Sequence, residues 1–130
     1  AAFYREVVDM EEASRNDSIG GDWFDQLTSN KGARFRAVHL TLGGLTLQLV
    51  EYLSAGGDTL ALHHKHVGNP HLCFNVDDLE KLHGELKAQG VRFVTDPIFT
   101  ELPGGGRRGI CYAQDPEGNW LEFIQRSDGK

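Results

Sequence analysis

The chain has 130 residues, of which 39% are hydrophobic and 25% charged, as in an ordinary globular domain. Its formal net charge of −6 argues against a nucleic-acid-binding protein, and no apolar run is long enough to predict a membrane span. The two cysteines, Cys73 and Cys111, form no CxxC motif and are interpreted as small buried hydrophobes. We therefore expect a cytoplasmic protein.

The first half of the chain predicts a helix followed by three strands. Phe3 and Val7 are spaced as one face of a helix that begins without a cap, so we expect that residues upstream of Ala1 are missing. A long loop is predicted at 18–32, with Trp23 and Phe24 exposed. Such a loop is expected to line a pocket or to form a dimer contact. The helix at 1–8 precedes a weak strand at 10–15 and two strands at 34–42 and 45–53.

The second half predicts the order β-α-β-β-β. A strand at 71–76 leads into a helix that Asp77 or Asp78 can cap and that Gly90 ends. Further strands are predicted at 91–95, 109–114 and 119–125, with a glycine-rich turn at 102–108.

The two halves are related as an internal repeat. Aligning the turn glycines places 44–49 over 118–123, so that Gln48 falls on Glu122. We interpret the chain as a single domain at 1–130, with module one at 1–55, a linker at 56–69 and module two at 70–130. The predicted fold is α+β, with two βαβββ modules forming a curled mixed sheet around a central cavity. The first strand of module one is absent from this chain.

Three side chains share the sheet face predicted to lie away from the helices. Because strand residues alternate between faces, Gln48, His71 and Glu122 fall on that side. Imidazole nitrogen with amide and carboxylate oxygens suits a divalent metal such as Zn, Ni, Co, Mn or Fe. Glu51 is three residues after Gln48, so it points to the opposite face and is predicted to be a surface or ion-paired carboxylate.

Two other motifs carry weaker hypotheses. The histidine-rich stretch "LHHKHVGNPH" (62–71) is interpreted as a solvated linker rather than a second metal site. The turn "GGGRR" (104–108) is a candidate for binding the anionic tail of a substrate, although no helix follows it as in a P-loop.

Two stretches resemble the vicinal oxygen chelate superfamily: "HLCFNVDDLEKLHGELKAQGVRF" (71–93) and "YAQDPEGNWLEFIQ" (112–125). That group includes glyoxalase I, methylmalonyl-CoA epimerase, extradiol dioxygenases, and fosfomycin and bleomycin resistance proteins. The resemblance implies metal ligands on the first and last strands of each module, matching Gln48, His71 and Glu122. It also implies a fourth ligand upstream of Ala1.

The function implied is a metal-dependent enzyme of glyoxalase I or epimerase type, a lyase or isomerase. It would stabilise an enediolate, with Glu122 as both metal ligand and catalytic base. A small-molecule substrate and a homodimer are expected, without nucleic acid or membrane. Gln48 resembles epimerases, whereas the turn "DPEGNW" (115–120) resembles glyoxalases.

Two alternatives stay open. One is a metal-free, ligand-sequestering protein of the bleomycin resistance type, which an incomplete ligand set favours. The other is an extradiol dioxygenase, which uses two histidines and one glutamate. Its signature requires a histidine shortly before Tyr112, where this chain has "GGGRR".

Overall fold

The computed structural model of the chain describes residues 1–61 and 63–128. The chain divides into two compact units, 1–60 and 61–130. The elements of the first unit are α1 (Ala2–Glu6), β1 (Glu11–Gly20), α2 (Asp22–Thr28), β2 (Arg34–Leu42) and β3 (Leu45–Ser54). Those of the second are β4 (His71–Asn75), α3 (Leu79–Ala88), β5 (Arg92–Phe93), β6 (Ile98–Glu101), β7 (Gly106–Gln114) and β8 (Trp120–Asp128). The predicted α+β class is confirmed. In the part of the chain that is described, no helix is long and apolar enough to cross a membrane.

The first unit contains an antiparallel sheet in the order β1-β2-β3. Val38 and Leu40 of the middle strand are buried, as are Tyr4 and Met10. The face that carries Val38 and Leu40 is therefore the core side, and alternation along β2 places His39 on the opposite side.

The prediction of a long loop at 18–32 is wrong. β1 continues to Gly20, and the helix α2 follows from Asp22 to Thr28. Phe24 is buried rather than exposed, with its ring centroid 4.6 Å from that of Phe35, whereas Trp23 is 60% exposed as expected. A helix of seven residues shows too little periodicity to be recognised, and a tertiary contact through one aromatic side chain holds it.

The second unit contains a five-stranded sheet in which β4, β8, β7 and β5 are neighbours and β6 pairs with β7. β4 runs parallel to β8, and the other pairs are antiparallel. The helix α3 begins as predicted, because the side chain of Asp78 accepts a hydrogen bond of 3.0 Å from the backbone N–H of Lys81. Buried side chains of α3 and β8 form the core: Leu79, Leu86, Leu121 and Phe123.

Two strand predictions in this unit need correction. The strand expected at 91–95 pairs only at Arg92 and Phe93. The strand β6, at Ile98–Glu101, was not predicted, although it pairs with four residues of β7. Its four residues are too few for a clear alternation, and they follow Pro97, which marks the end of a strand.

Candidate functional site

The helix-free face of the second sheet carries a cluster of polar side chains centred on Glu122. β8 lies between β4 and β7, and Glu122 is opposite Cys73 on one side and Tyr112 on the other. The alternate residues Leu121 and Phe123 are buried on the helix-bearing side, so Glu122 faces away from α3. Strand pairing therefore places one carboxylate between a thiol and a phenol.

His71 completes this cluster. Its Nε2 lies 3.0 Å from Oε2 of Glu122, and the two side chains are 42% and 14% exposed. An acid that is mostly removed from water needs a partner, and the imidazole supplies it. The structure therefore brings together two of the three metal-ligand candidates, His71 and Glu122.

The two neighbours of Glu122 are held in their protonated forms. Partial desolvation raises the pKa of the exposed Cys73 thiol, and the negative charge and hydrogen bonding of Glu122 raise it further. The pKa of Tyr112 is also raised, first by burial and then by the charges of Glu122 and Cys73. Both groups are therefore neutral donors at neutral pH.

The prediction that both cysteines are buried is half right. Cys111 is buried, and its burial raises the thiol pKa to about 11. Cys73 is exposed instead, because it occupies the helix-free side of β4, two residues after His71. The alternation of faces within "HLCFN" (71–75) already indicates that Cys73 lies on the same face as His71.

The histidine-rich segment contacts the same face. The ring of His64 stacks on that of Tyr112 with centroids 5.8 Å apart, and it lies 5.1 Å from the ring of Trp120. The ring centroid of His63 also lies 6.1 Å from that of Trp120. Desolvation, followed by the charges of the neighbouring His64, Lys65 and His66, lowers the pKa of His63. The segment was interpreted as a solvated linker. The side chains of His63 and His64 are exposed, yet both cover part of this face, while Leu62 lies outside the described residues.

Gln48 lies in the first unit, within a polar row across the three strands. Its Nε2 is 2.9 Å from Nε2 of His39, and Nδ1 of His39 is 3.1 Å from Oγ of Ser14. An amide nitrogen only donates, so the His39 Nε2 accepts and the ring proton sits on Nδ1, facing Ser14. This arrangement occupies the amide nitrogen of Gln48 and leaves its oxygen as the atom suited to bind a cation.

Glu51 behaves as predicted. Its carboxylate forms an ion pair of 2.6 Å with Arg36, which is opposite it in the pairing of β2 and β3. Both side chains are exposed, so Glu51 and Arg36 form a surface ion pair. Substitution of Glu51 is therefore a matched control for substitution of Glu122.

A cavity of about 310 Å³ lies on the opposite, helix-bearing side of the second sheet. Its lining includes Asp78, Phe99, Arg107 and Gln125. The backbone N–H groups of Leu79 and Lys81 at the start of α3 already donate to Oε1 of Gln125 and Oδ1 of Asp78, so these two donors are satisfied within the protein. The cavity is thus separated by the sheet from the cluster around Glu122.

In the described ranges 1–61 and 63–128, no three or more His, Cys, Asp or Glu side chains are grouped so as to hold a metal ion. The donor types of the cluster nevertheless fit one, because His71 and Glu122 present nitrogen and oxygen atoms within 3.0 Å of each other. The pair therefore supplies a partial ligand set.

Comparison with known proteins identifies the class. Residues 1–123 match the model of the Glyoxalase/Bleomycin resistance protein/Dioxygenase superfamily. The chain belongs to this superfamily, which confirms the resemblance seen in the sequence.

Individual relatives are glyoxalases. The chain is 39% identical to glyoxalase I of Saccharomyces cerevisiae over 62 residues, which are 48% of this chain and 18% of the yeast protein. It is 33% identical to lactoylglutathione lyase of Schizosaccharomyces pombe over 63 residues, 48% of this chain and 19% of that protein. The chain thus spans less than a fifth of the length of the curated relatives that it matches.

A solved structure shows the same fold. A glyoxalase family protein from Bacillus cereus superposes with a TM-score of 0.77 at 16% identity, covering 95% of this chain and 82% of that one. This similarity supports the arrangement of helices and strands, and at this identity it supports the fold alone.

Proposed function

We propose that the chain is an enzyme of glyoxalase I type that binds a divalent metal ion through Gln48, His71 and Glu122. The observation that carries the proposal is the 3.0 Å contact between His71 and Glu122 on the helix-free face. Imidazole nitrogen and carboxylate oxygen are common ligands of Zn, Ni, Co, Mn and Fe. Two such atoms at this separation are able to bind one ion, which would replace the hydrogen bond between them.

Gln48 is included because it occupies the matching place in the first unit. It faces His39 across the β2–β3 hairpin, as Glu122 faces Tyr112 across the β7–β8 hairpin. Its amide oxygen would be the ligand atom.

The bound metal would supply positive charge beside the two neighbouring oxygens of an α-hydroxycarbonyl substrate. Glu122 would take the proton from the carbon beside the carbonyl group and return it to the adjacent carbon. Tyr112 lies opposite Glu122 in the strand pairing, and its raised pKa keeps it protonated beside the carboxylate as a hydrogen-bond donor. These roles describe a lyase or isomerase in which one carboxylate both binds and acts as base.

Other features rest on the superfamily alone. The similarity to lactoylglutathione lyase of S. pombe supports a small-molecule substrate. On the resemblance to the superfamily we propose a homodimer and a cytoplasmic location.

A metal-free ligand-binding protein is the second candidate function. It is favoured by the hydrogen bond between His71 and Glu122, which satisfies both side chains without any ion. The third possibility, an extradiol dioxygenase, predicts oxygen uptake with catechols, and the absence of such uptake would exclude it.

The test is deuterium exchange at the substrate carbon. The full chain, loaded with Zn or Ni, is incubated in D₂O with lactoylglutathione, the compound named by the S. pombe relative. We expect deuterium at the carbon beside the thioester, measured by mass spectrometry, and a loss of about 100-fold or more in Glu122→Gln. Glu51→Gln removes a carboxylate outside the site and should exchange normally. Absence of exchange in the metal-loaded chain, or equal exchange in Glu122→Gln, would overturn the proposal.

A further inference from the structure

Two arginines occupy directly opposed positions on the helix-free face of the second sheet. Arg108 of β7 pairs with Arg126 of β8, four residues along each strand from Tyr112 and Glu122. Because strand residues alternate, an even separation keeps all four side chains on the same side of the sheet. The face that carries the Glu122 cluster therefore also carries two adjacent guanidinium groups.

Arg108 and Arg126 differ from three arginines of the first unit, which have acidic partners. Arg15 and Arg36 form ion pairs with Glu12 and Glu51. Among the side chains described in residues 1–61 and 63–127, no ion pair involves Arg108 or Arg126. Placing two like charges opposite each other across strands is unfavourable without a compensating anion.

One atom of Arg108, the guanidinium Nε, is buried and also lacks a hydrogen-bond partner among the described residues. A buried guanidinium nitrogen without a partner costs free energy, and an incoming anion that accepts its hydrogen would remove that cost. Arg126 is exposed, so a ligand can approach the pair from solvent.

The neighbouring Arg107 provides the contrast. It is one residue from Arg108 and points to the other side of β7, where its guanidinium carbon lies 3.9 Å from the centre of the Phe99 ring. The turn "GGGRR" (104–108) was a candidate for binding an anionic tail. The structure separates its two arginines, and only Arg108 shares a face with Glu122.

We propose that Arg108 and Arg126 form a subsite for an anionic group, a carboxylate or a phosphate, carried by the small molecule that reacts at Glu122. The planar guanidinium fork suits both groups, because each offers two oxygens to parallel N–H donors. Arg126 lies four positions along the strand from Glu122, about 13 Å between Cα atoms. The anionic group would therefore lie several bonds from the reacting carbon. The assignment of the reacting end rests on the proposed function.

The test uses two simple anions and chelator-treated, metal-free full chain. Inorganic phosphate and glutarate are titrated separately, and binding is followed by the backbone amide signals of residues 106–114 and 120–128 in NMR spectra. We expect saturable binding of at least one probe, with Kd raised about tenfold or more in Arg108→Gln and in Arg126→Gln. Tighter binding of glutarate identifies a carboxylate subsite, and tighter binding of phosphate identifies a phosphate subsite.

Arg107→Gln is the matched control, since it removes the same charge from the adjacent residue on the other face. Its Kd should change less than about twofold. Equal weakening in Arg107→Gln, or no saturable binding of either anion, would overturn the subsite. If Arg108→Gln does not fold, the exposed Arg126→Gln carries the same test.

These titrations need no metal and no turnover. Failure of deuterium exchange together with intact anion binding would reject the proposed function and keep an anion subsite. Normal exchange without anion binding would reject the subsite alone.

Discussion

Gln48 lies directly opposite His39 in the pairing of β2 and β3, and their side chains meet at 2.9 Å. Glu122 has the equivalent position opposite Tyr112 in β7 and β8. The two hairpins thus place a polar side chain at the same point, once as an amide and once as a carboxylate. The amide carries no charge, so at the proposed ligand position it should hold a metal ion less tightly than a carboxylate would.

Gln48→Glu is therefore expected to tighten metal binding. A carboxylate adds a negative charge at the proposed ligand position, and we expect the Kd for Zn or Ni to fall about tenfold. Isothermal titration calorimetry measures the change. Thr46→Glu is the control, because it adds the same charge two residues away on the same face of β3. If both variants tighten binding equally, the effect is general electrostatics and Gln48 is not a ligand.

Glu122→Gln should make Cys73 more reactive in metal-free protein. The charge of Glu122 contributes to the raised pKa of this thiol, so its removal lowers the pKa and increases the thiolate fraction near pH 8. The rate of alkylation by iodoacetamide, followed by mass spectrometry, should rise several-fold. Cys111 is buried with a thiol pKa of about 11, so it should remain unmodified and serves as the internal control. An unchanged Cys73 rate would show that Glu122 does not act on the thiol.

Asp115→Ala should destabilise the turn that leads into β8. The buried carboxylate of Asp115 accepts hydrogen bonds from the backbone N–H groups of Glu117 and Asn119 and from the Asn119 side chain. Leaving these donors without their partner should cost about 2–3 kcal/mol of unfolding free energy in urea denaturation. Glu117→Ala, at an exposed position of the same turn, should cost less than about 0.5 kcal/mol. Similar losses in both variants would argue against the hydrogen-bonding role of Asp115.

Gly109→Ala and Gly84→Ala should have opposite effects on stability. A Cβ at Gly109 would lie 2.4 Å from the Phe99 ring, so the ring must move, at a cost of about 1–2 kcal/mol. Gly84 lies within α3 with nothing within 4 Å of an added Cβ, and alanine there should stabilise by about 0.5–1 kcal/mol. Thermal unfolding followed by circular dichroism compares the two. A stable Gly109→Ala would mean that Phe99 does not pack over this strand.

The sequence carried enough information for the main strands because alternation and turn residues are local. Parity alone placed His71 and Glu122 on one face and assigned Glu51 to the opposite side, where it pairs with Arg36. The cap at Asp78 was also visible, because an N-cap residue acts within its own helical turn.

The features that were missed depend on partners distant in sequence. Ser14 meets His39 only after β1 pairs with β2, and α2 is held by the packing of Phe24 on Phe35. Arg126 could be recognised as part of the proposed anion subsite only from the strand register, which places it opposite Arg108. Such relations follow from register between strands, which a single sequence does not specify.

Metal content under equilibrium dialysis tests the central claim most directly. The full chain and the variants Gln48→Ala, His71→Ala and Glu122→Ala are dialysed together against one buffer containing Zn or Ni, with Glu51→Ala as control. We predict stoichiometric metal in the wild type and in Glu51→Ala, and a large loss in each of the three other variants. Equal metal content in all five proteins would contradict the proposed site.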